Sequence, residues 1–172
     1  MGRVTALLGA MLAAAAAAVV LPAGPAAAEV RDNRQMVQIR GTMKITDGDF
    51  PDDDDIVNLS YAEAYMLTPE NPHATFVQEG CADDEVGVTL TIDMSLLVNG
   101  SLRVDSSVQL REGSWANGGC HAGIKDSDAT RFDLPLNRQR RLEYNLENRG
   151  LWANDYANVR FQLSHLVPCV AC

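Results

Sequence analysis

The residues with the clearest chemical character are six aspartates within nine positions, between Asp47 and Asp55. Glycine and proline interrupt the run, so the segment is predicted to be an exposed loop. Calcium takes about six to eight oxygen ligands, which closely spaced carboxylates can supply. One hypothesis is a calcium site that uses Asp47, Asp49, Asp52, Asp53, Asp54 and Asp55, completed by a second acidic turn at Asp83, Asp84 and Glu85. The pattern favours the other interpretation, a loop that only keeps the surface charged and solvated.

A glycine-rich segment, 112–128, holds a second group of reactive side chains. His121 lies between Ser114 and Asp126, so a hydrolytic triad can be drawn here. No G-x-S-x-G sequence supports a nucleophilic serine, so a small secreted hydrolase is the alternative and a non-enzymatic protein is the main prediction. Trp115 and Trp152 lie in turn-like segments, where tryptophan either closes the end of a core or forms a binding site. We predict that Trp115, His121 and Trp152 contact a partner, either a protein or a carbohydrate.

The first 28 residues have the pattern of a secretory signal peptide. Arg3 precedes an apolar, alanine-rich run from Leu7 to Leu21, and Ala26, Ala27 and Ala28 provide small residues for cleavage. We therefore predict a signal peptide at 1–28, a flexible lead-in at 29–35 and one domain at 36–172. The protein is expected outside the cell, with no membrane association after cleavage.

The net charge of the chain limits the classes of partner that it is expected to bind. The chain has a net charge of −9, with 23 acidic residues against 14 lysines and arginines. Nucleic acids and anionic membrane surfaces bind through positive surfaces, so both are excluded as expected partners. Cationic partners and divalent metal ions remain open.

The elements that position these residues are predicted to be strands, and the clearest is a hairpin between Val86 and Leu110. Apolar residues occupy every second position from 86 to 96, and the same alternation resumes after Asn99-Gly100. A two-residue turn would place the two apolar rows on opposite faces, because a one-residue slip reverses every side chain. We predict an odd-numbered loop or a bulge beside Gly100, with Val98 opposite Leu102.

Four cysteines in an exported chain predict two disulfides. The hairpin register, extended backwards, places Cys81 opposite Gly119 and beside Cys120. We predict a Cys81–Cys120 bridge, which leaves Cys169 and Cys172 to pair with each other. The alternative ties Cys81 and Cys120 each to the C-terminal pair.

The rest of the chain completes an all-β domain. Alternation predicts a strand from Met36 to Thr46 with a bulge or close backbone approach at Gly41. The segment 56–67 fits a strand better than a short helix, 112–128 is predicted to be a loop, and Phe132, Leu134 and Leu136 form a short strand. Seven or eight strands without a long helix indicate a single antiparallel β-sandwich, with a β-barrel as the alternative.

These patterns match no family motif, and together they indicate a binding protein. The main prediction is a secreted, non-enzymatic β-sandwich that binds a partner through its loops. Calcium in the aspartate loop is an additional hypothesis. A secreted hydrolase that uses the 112–128 loop is one alternative. A secreted enzyme inhibitor is the other.

Overall fold

The computed structural model describes residues 33–48, 55–113, 119–149 and 154–168. They form eight antiparallel strands, all within one unit, Asp32–Cys172. The strands are β1 (Gln35–Asp47), β2 (Asp55–Leu67), β3 (His73–Ala82), β4 (Val86–Leu96), β5 (Leu102–Glu112), β6 (Gly123–Leu134), β7 (Arg138–Arg149) and β8 (Asn154–Leu166). A 3-10 turn, Gly119–His121, precedes β6. No helix in the described part of the chain has the length and apolar character needed to cross a membrane.

The strands form two four-stranded sheets. Sheet A has the order β2-β1-β8-β7 and sheet B the order β3-β4-β5-β6. Every paired strand is a neighbour along the chain except β1 and β8. Within the described residues, hydrogen bonding stops between β2 and β3 and between β6 and β7, so the sheets do not close into a barrel. The predicted β-sandwich is therefore confirmed in its all-β class and its two sheets.

The core lies between the inner faces of the two sheets. Alternate residues of each strand are buried, as a period of two requires when one face is covered. Sheet A contributes residues such as Ile39, Met43, Phe161 and Leu163, and sheet B residues such as Leu90, Ile92, Val104 and Leu110.

Gly41 interrupts the inner row of β1 because an aromatic ring from β2 fills its place. A Cβ atom at this position would overlap the ring of Tyr61 and the backbone oxygen of Arg160. The Tyr61 hydroxyl donates a hydrogen bond to that same oxygen at 3.2 Å, and its ring lies 5.3 Å from the ring of Phe76 in sheet B. Burial raises the pKa of Tyr61 above its ordinary range. The close approach predicted at Gly41 is confirmed.

The central hairpin has the predicted faces but not the predicted register. Leu96 pairs with Leu102, whereas the prediction placed Val98 opposite Leu102. The loop is odd-numbered as expected, since the Leu97 N–H donates to the Ser101 carbonyl at 2.8 Å. Gly100 has a φ of +78°, the left-handed conformation that ends a three-residue hairpin loop. The three-residue loop is therefore 98–100 instead of 99–101, and the partner of Leu102 moves by two residues.

The cysteine prediction is confirmed for one bridge. Cys81 and Cys120 are bonded, with their Cα atoms 5.8 Å apart. The reasoning behind it was partly wrong, because Cys81 lies on β3 opposite Gly87 rather than in an extension of β4. Cys169 and Cys172 lie outside the described residues, so the second predicted bridge remains a prediction.

Two further segments differ from the prediction or settle an ambiguity. Residues 123–134 form the complete strand β6 along β5, where the sequence indicated a loop followed by a short strand. The segment 56–67 is a strand, as favoured, and it pairs with β1 over its whole length.

A buried contact between two hydroxyl groups joins sheet A to sheet B. The Tyr144 hydroxyl on β7 lies 2.6 Å from Ser106 Oγ on β5. Ser106 donates its single hydroxyl proton to the Thr130 carbonyl at 3.2 Å, so Tyr144 is the donor between the two hydroxyls. Because the contact is buried, its hydrogen bond compensates the desolvation of both hydroxyls.

Candidate functional site

The connections that hold the predicted site residues all leave the sandwich at the same end. Because the strands alternate in direction, the connections β1–β2, β3–β4, β5–β6 and β7–β8 meet at one end, which we call the loop end. The connections β2–β3, β4–β5 and β6–β7 lie at the opposite end. Sequence reasoning singled out residues in all four loop-end connections without knowing that the strands flanking these connections end on the same side of the sandwich.

A hydrogen-bonded cluster fixes the base of the loop end. The Asn148 side-chain amide donates to Glu112 Oε2 at 2.5 Å and to Asp155 Oδ2 at 2.9 Å, so it joins β5 of sheet B to β8 of sheet A. The other Asp155 oxygen accepts a hydrogen bond from the Gly48 N–H at 3.4 Å. Asp155 is 1 % exposed and Asp47 2 % exposed. The base of the aspartate loop is therefore tied to both sheets.

Glu112 and one further carboxylate, that of Asp126, have additional structural partners at this end. Glu112 also pairs with the Lys125 ammonium at 3.3 Å. Asp126 Oδ2 accepts a hydrogen bond from the backbone N–H of Glu147 at 3.0 Å, which links β6 to β7 where the two sheets do not pair.

The β3–β4 turn is held by its backbone conformation. Asp83 and Asp84 have φ values of 43° and 56°, and the Glu85 N–H donates to the Ala82 carbonyl at 3.0 Å. Two consecutive positive φ angles define a type I′ turn, which matches the twist of an antiparallel hairpin. Both aspartates are exposed, so the turn presents two carboxylates at the loop end.

The β5–β6 connection packs tightly onto this turn. A Cβ atom on Gly119 would overlap the Asp84 carbonyl oxygen, and one on Gly87 would overlap the Cys120 carbonyl oxygen. The Cys81–Cys120 disulfide joins the same two segments covalently. Beside it lies a cavity of 620 Å³, lined by Glu79, Cys81, Asp84, Thr89, Cys120 and His121, among others. The cavity has acidic groups and one imidazole at its rim.

The predicted residues are distributed unevenly over this site. Asp47 is the last residue of β1 and is buried, whereas the sequence indicated that it belongs to an exposed loop. Asp55 is the first residue of β2 and is exposed. Asp49, Asp52, Asp53, Asp54, Ser114, Trp115 and Trp152 lie outside the described residues.

His121 is exposed at the end of the 3-10 turn. Its backbone carbonyl accepts a hydrogen bond from Arg111 at 3.5 Å, but no described residue bonds its imidazole ring. Asp126, the third member of the triad drawn from the sequence, bonds a backbone N–H instead.

Metal ligands do not gather among the residues that the structure describes. Within those ranges, no group of three or more His, Cys, Asp or Glu side chains is arranged as a metal site. Four of the six aspartates predicted to bind calcium lie outside them. The calcium prediction therefore stays a prediction.

Sequence reasoning missed Asn148, Asp155 and Glu112, which form the base of the loop end. One signal was available for Asp155, which stands two residues before the inward-facing Ala157. An acidic residue in a buried row indicates a polar partner. The partner itself depends on contacts between distant strands.

Comparisons with known proteins give no assignment. No protein-family model matches the chain, and no curated protein matches it. Among solved structures, the secretin InvG of the Salmonella SPI-1 type III secretion injectisome, in the open gate state, is similar over 81 % of this chain and 62 % of that chain, with 8 % identity and a TM-score of 0.35. A near-atomic resolution cryo-EM structure of the same secretin matches over 81 % of this chain and 65 % of that chain, with 8 % identity and a TM-score of 0.25. The chain thus spans less than two thirds of the InvG chains that it matches, and likeness at this level assigns neither fold nor function.

Proposed function

We propose that this protein is a secreted, non-enzymatic binding module that contacts a partner protein or carbohydrate through its loop end. One observation carries the proposal. The strands that flank the four connections with the predicted site residues end on the same side of a sandwich, and a disulfide and a half-buried hydrogen-bonded cluster join those strand ends. Loops held on a rigid scaffold are the usual location of binding residues.

The hydrogen bonds of Asp126 and His121 favour binding over hydrolysis. Asp126, which would orient the histidine of a triad, accepts a backbone hydrogen bond from Glu147. The His121 ring is exposed and is bonded by no described residue. A histidine that acts as a general base is normally oriented by a third group.

The chemistry of the loop end favours a partner with cationic or hydroxyl groups. Asp83 and Asp84 present their carboxylates from a fixed turn, and Glu79 lines the neighbouring cavity. Carboxylates accept hydrogen bonds from ammonium, guanidinium and hydroxyl donors.

The binding experiment uses a glycan array and a phage-displayed peptide library. The loop-end variants are Asp83→Asn/Asp84→Asn, in which asparagine keeps the positive φ angles of the turn, and His121→Ala. The control is Glu70→Gln in the β2–β3 connection at the opposite end. We expect ligands that bind the wild type and the control but lose about 10-fold or more in affinity for the loop-end variants. Ligands that bind all variants equally, or that are turned over, would contradict the proposal.

We also propose that calcium orders the aspartate loop. The support is that Asp47, which opens the aspartate run, is buried beside the Asp155 cluster, so the run starts from a fixed base. Calcium prefers several carboxylate oxygens in one site, and the sequence supplies them at 47–55.

The calcium experiment compares thermal unfolding in calcium and in chelator. At a calcium concentration about 100 times the Kd, binding to the folded state adds about 2.7 kcal/mol. For a domain of this size that corresponds to a rise in Tm of about 5–10 °C. The rise should vanish in Asp52→Asn/Asp53→Asn/Asp54→Asn/Asp55→Asn and persist in Asp93→Asn/Asp105→Asn on the outer face of sheet B. An unchanged Tm in the wild type would make the aspartates surface charge only.

A further inference from the structure

The outer face of sheet A is basic, although the chain as a whole carries a net charge of −9. Its four central rows, from Gln38 to Lys44 on β1 and their partners on β2, β8 and β7, hold four cationic side chains and one carboxylate. We call this surface the basic face, and its charged residues are Arg40, Lys44, Arg141, Arg160 and Glu143.

The cations of the basic face are not neutralised in the way that those of the opposite sheet are. Arg160 pairs with Glu143 at 2.9 Å. Arg141 donates only to the neutral Gln162 carbonyl, at 3.0 Å, and in the described part of the chain neither Arg40 nor Lys44 has an ion-pair partner. Three of the four cations thus lack a carboxylate partner within the described residues.

The outer face of sheet B provides the contrast. Arg103 pairs with Asp133 through both carboxylate oxygens, at 3.0 and 3.3 Å. Arg131 pairs with Asp105. Each of these arginines therefore has its own carboxylate. Between the two pairs, the described part of sheet B has no row of cations that lack carboxylate partners.

The register of sheet A arranges the free cations around a neutral amide. Arg40 on β1 and Arg141 on β7 both lie beside Gln162 on β8, in one row across three strands. With about 4.8 Å between neighbouring strands, the two arginine Cα atoms are about 10 Å apart. Gln162 donates to Gln139 in the neighbouring row at 2.7 Å, so the amide between the two arginines is held in place. A depression of 850 Å³ lies over this row.

We propose that the basic face binds an acidic oligosaccharide in which carboxylate-bearing sugars alternate with neutral ones. Guanidinium groups bind carboxylates through two parallel hydrogen bonds, so Arg40 and Arg141 supply two anion positions. The Gln162 amide between them has the donors and acceptors that sugar hydroxyls need. The cation–amide–cation order of this row matches the anion–hydroxyl–anion order of such a ligand.

A peptide fits this surface less well. The depression is lined by residues of all four strands of sheet A, and its two inner strands, β1 and β8, pair on both sides. Their backbone groups are used within the sheet, so an acidic peptide cannot add as a further strand there. A sugar chain needs only side-chain contacts.

The inference is separate from the proposed function of the loop end, because it uses different residues on a different surface. A failure at one surface therefore leaves the other untouched. Its variants also differ from those of the loop end, so the two outcomes can be read independently.

The experiment is calorimetric titration of the protein with a hyaluronan octasaccharide, in which glucuronate alternates with neutral N-acetylglucosamine. The test variant is Arg40→Gln/Arg141→Gln, which keeps polar side chains on an exposed face. The control is Arg103→Gln/Arg131→Gln on sheet B, which removes the same charge from a face whose arginines are paired. We expect the test variant to raise the Kd about 10-fold to 100-fold, as loss of charge-assisted hydrogen bonds implies, and the control to change it by less than about 3-fold.

Two further probes separate the chemistry of the ligand. The carboxyl-reduced octasaccharide, which has the same length without charge, should not bind. A poly-L-glutamate peptide with the same number of carboxylates should bind more weakly than the octasaccharide. Absence of octasaccharide binding at millimolar concentration, equal loss in both double variants, or tighter binding of the peptide would overturn the proposal.

Discussion

The Cys81–Cys120 disulfide allows a prediction whose magnitude follows from the chain itself. The bridge joins residues 39 positions apart. In the chain-entropy model, closing a loop of this length removes enough entropy from the unfolded state to stabilise the folded one by about 4 kcal/mol. The double variant Cys81→Ala/Cys120→Ala should lose that amount. Cys81 is exposed, so little of the loss should come from its packing.

Urea unfolding followed by circular dichroism measures this loss. We expect the midpoint to fall, and the slope of free energy against urea to rise because the unlinked chain exposes more surface when unfolded. The same loss should lower Tm by about 8–16 °C for a domain of this size. Removing both cysteines at once avoids a free thiol that could react elsewhere.

The matched control is Cys169→Ala/Cys172→Ala. A bridge between these two residues would close a loop of only a few residues, so its removal should cost much less. A loss below about 1 kcal/mol in the Cys81/Cys120 variant, or an equal loss in the control, would refute the reasoning from loop length.

Three other predictions concern the core. His165 is buried, and burial lowers its pKa from the ordinary value of 6.5, although the Leu134 carbonyl, 3.0 Å from Nδ1, opposes the shift. The contribution of His165 to the free energy of unfolding is therefore complete above about pH 6.5 and is lost as the pH falls through the lowered pKa. Unfolding free energies at pH 7.5 and 5.5 should show a smaller decrease for His165→Gln than for the wild type, and a decrease of the same size would contradict this. Tyr144→Phe removes the buried 2.6 Å contact with Ser106 and should cost about 1 kcal/mol, with a double-mutant cycle against Ser106→Ala giving a coupling of at least about 0.5 kcal/mol. Gly41→Ala should cost about 1–3 kcal/mol by overpacking, while Gly123→Ala, whose added Cβ atom contacts nothing within 4 Å, should cost less than about 0.5 kcal/mol; similar losses would disprove the steric account.

The parts of the fold that could be predicted are those in which one strand carries its own pattern. The alternation from Val86 to Leu96 indicated the face, length and hairpin of β4, because every second residue is buried. β6 escaped prediction because Asp126 and Asp128 occupy the row that faces Leu110 and Val108. At the open edge of a sheet, residues of the inner row stay partly exposed and can be carboxylates. β6 therefore lacks the alternation of apolar residues that predicts a strand.

The candidate site residues divide in the same way, into those that a pattern in the sequence indicates and those that depend on which distant strands pair. The sequence indicated the acidic turn because its pattern is local. It also indicated the Cys81–Cys120 bridge, but through an extension of β4 that the structure does not have. The contact of Asn148 with Glu112 and the row of Arg40 and Arg141 depend on which distant strands become neighbours. Arg40 lies 101 residues from Arg141, and only the order β1-β8-β7 brings them to one row. No periodicity within a segment contains that information.

The pairing of β1 with β8 has a consequence for how the chain could be rearranged. Met36 lies opposite Leu166, so a short linker could join the end of β8 to the start of β1. If the chain were then opened between β2 and β3, at 68–72, each sheet would become one uninterrupted segment: β3 to β6, followed by β7, β8, β1 and β2. Every hydrogen-bonded pair in that circular permutant would be a local hairpin. Because the lower contact order shortens the search for partners, the permutant should fold faster while it keeps the same core.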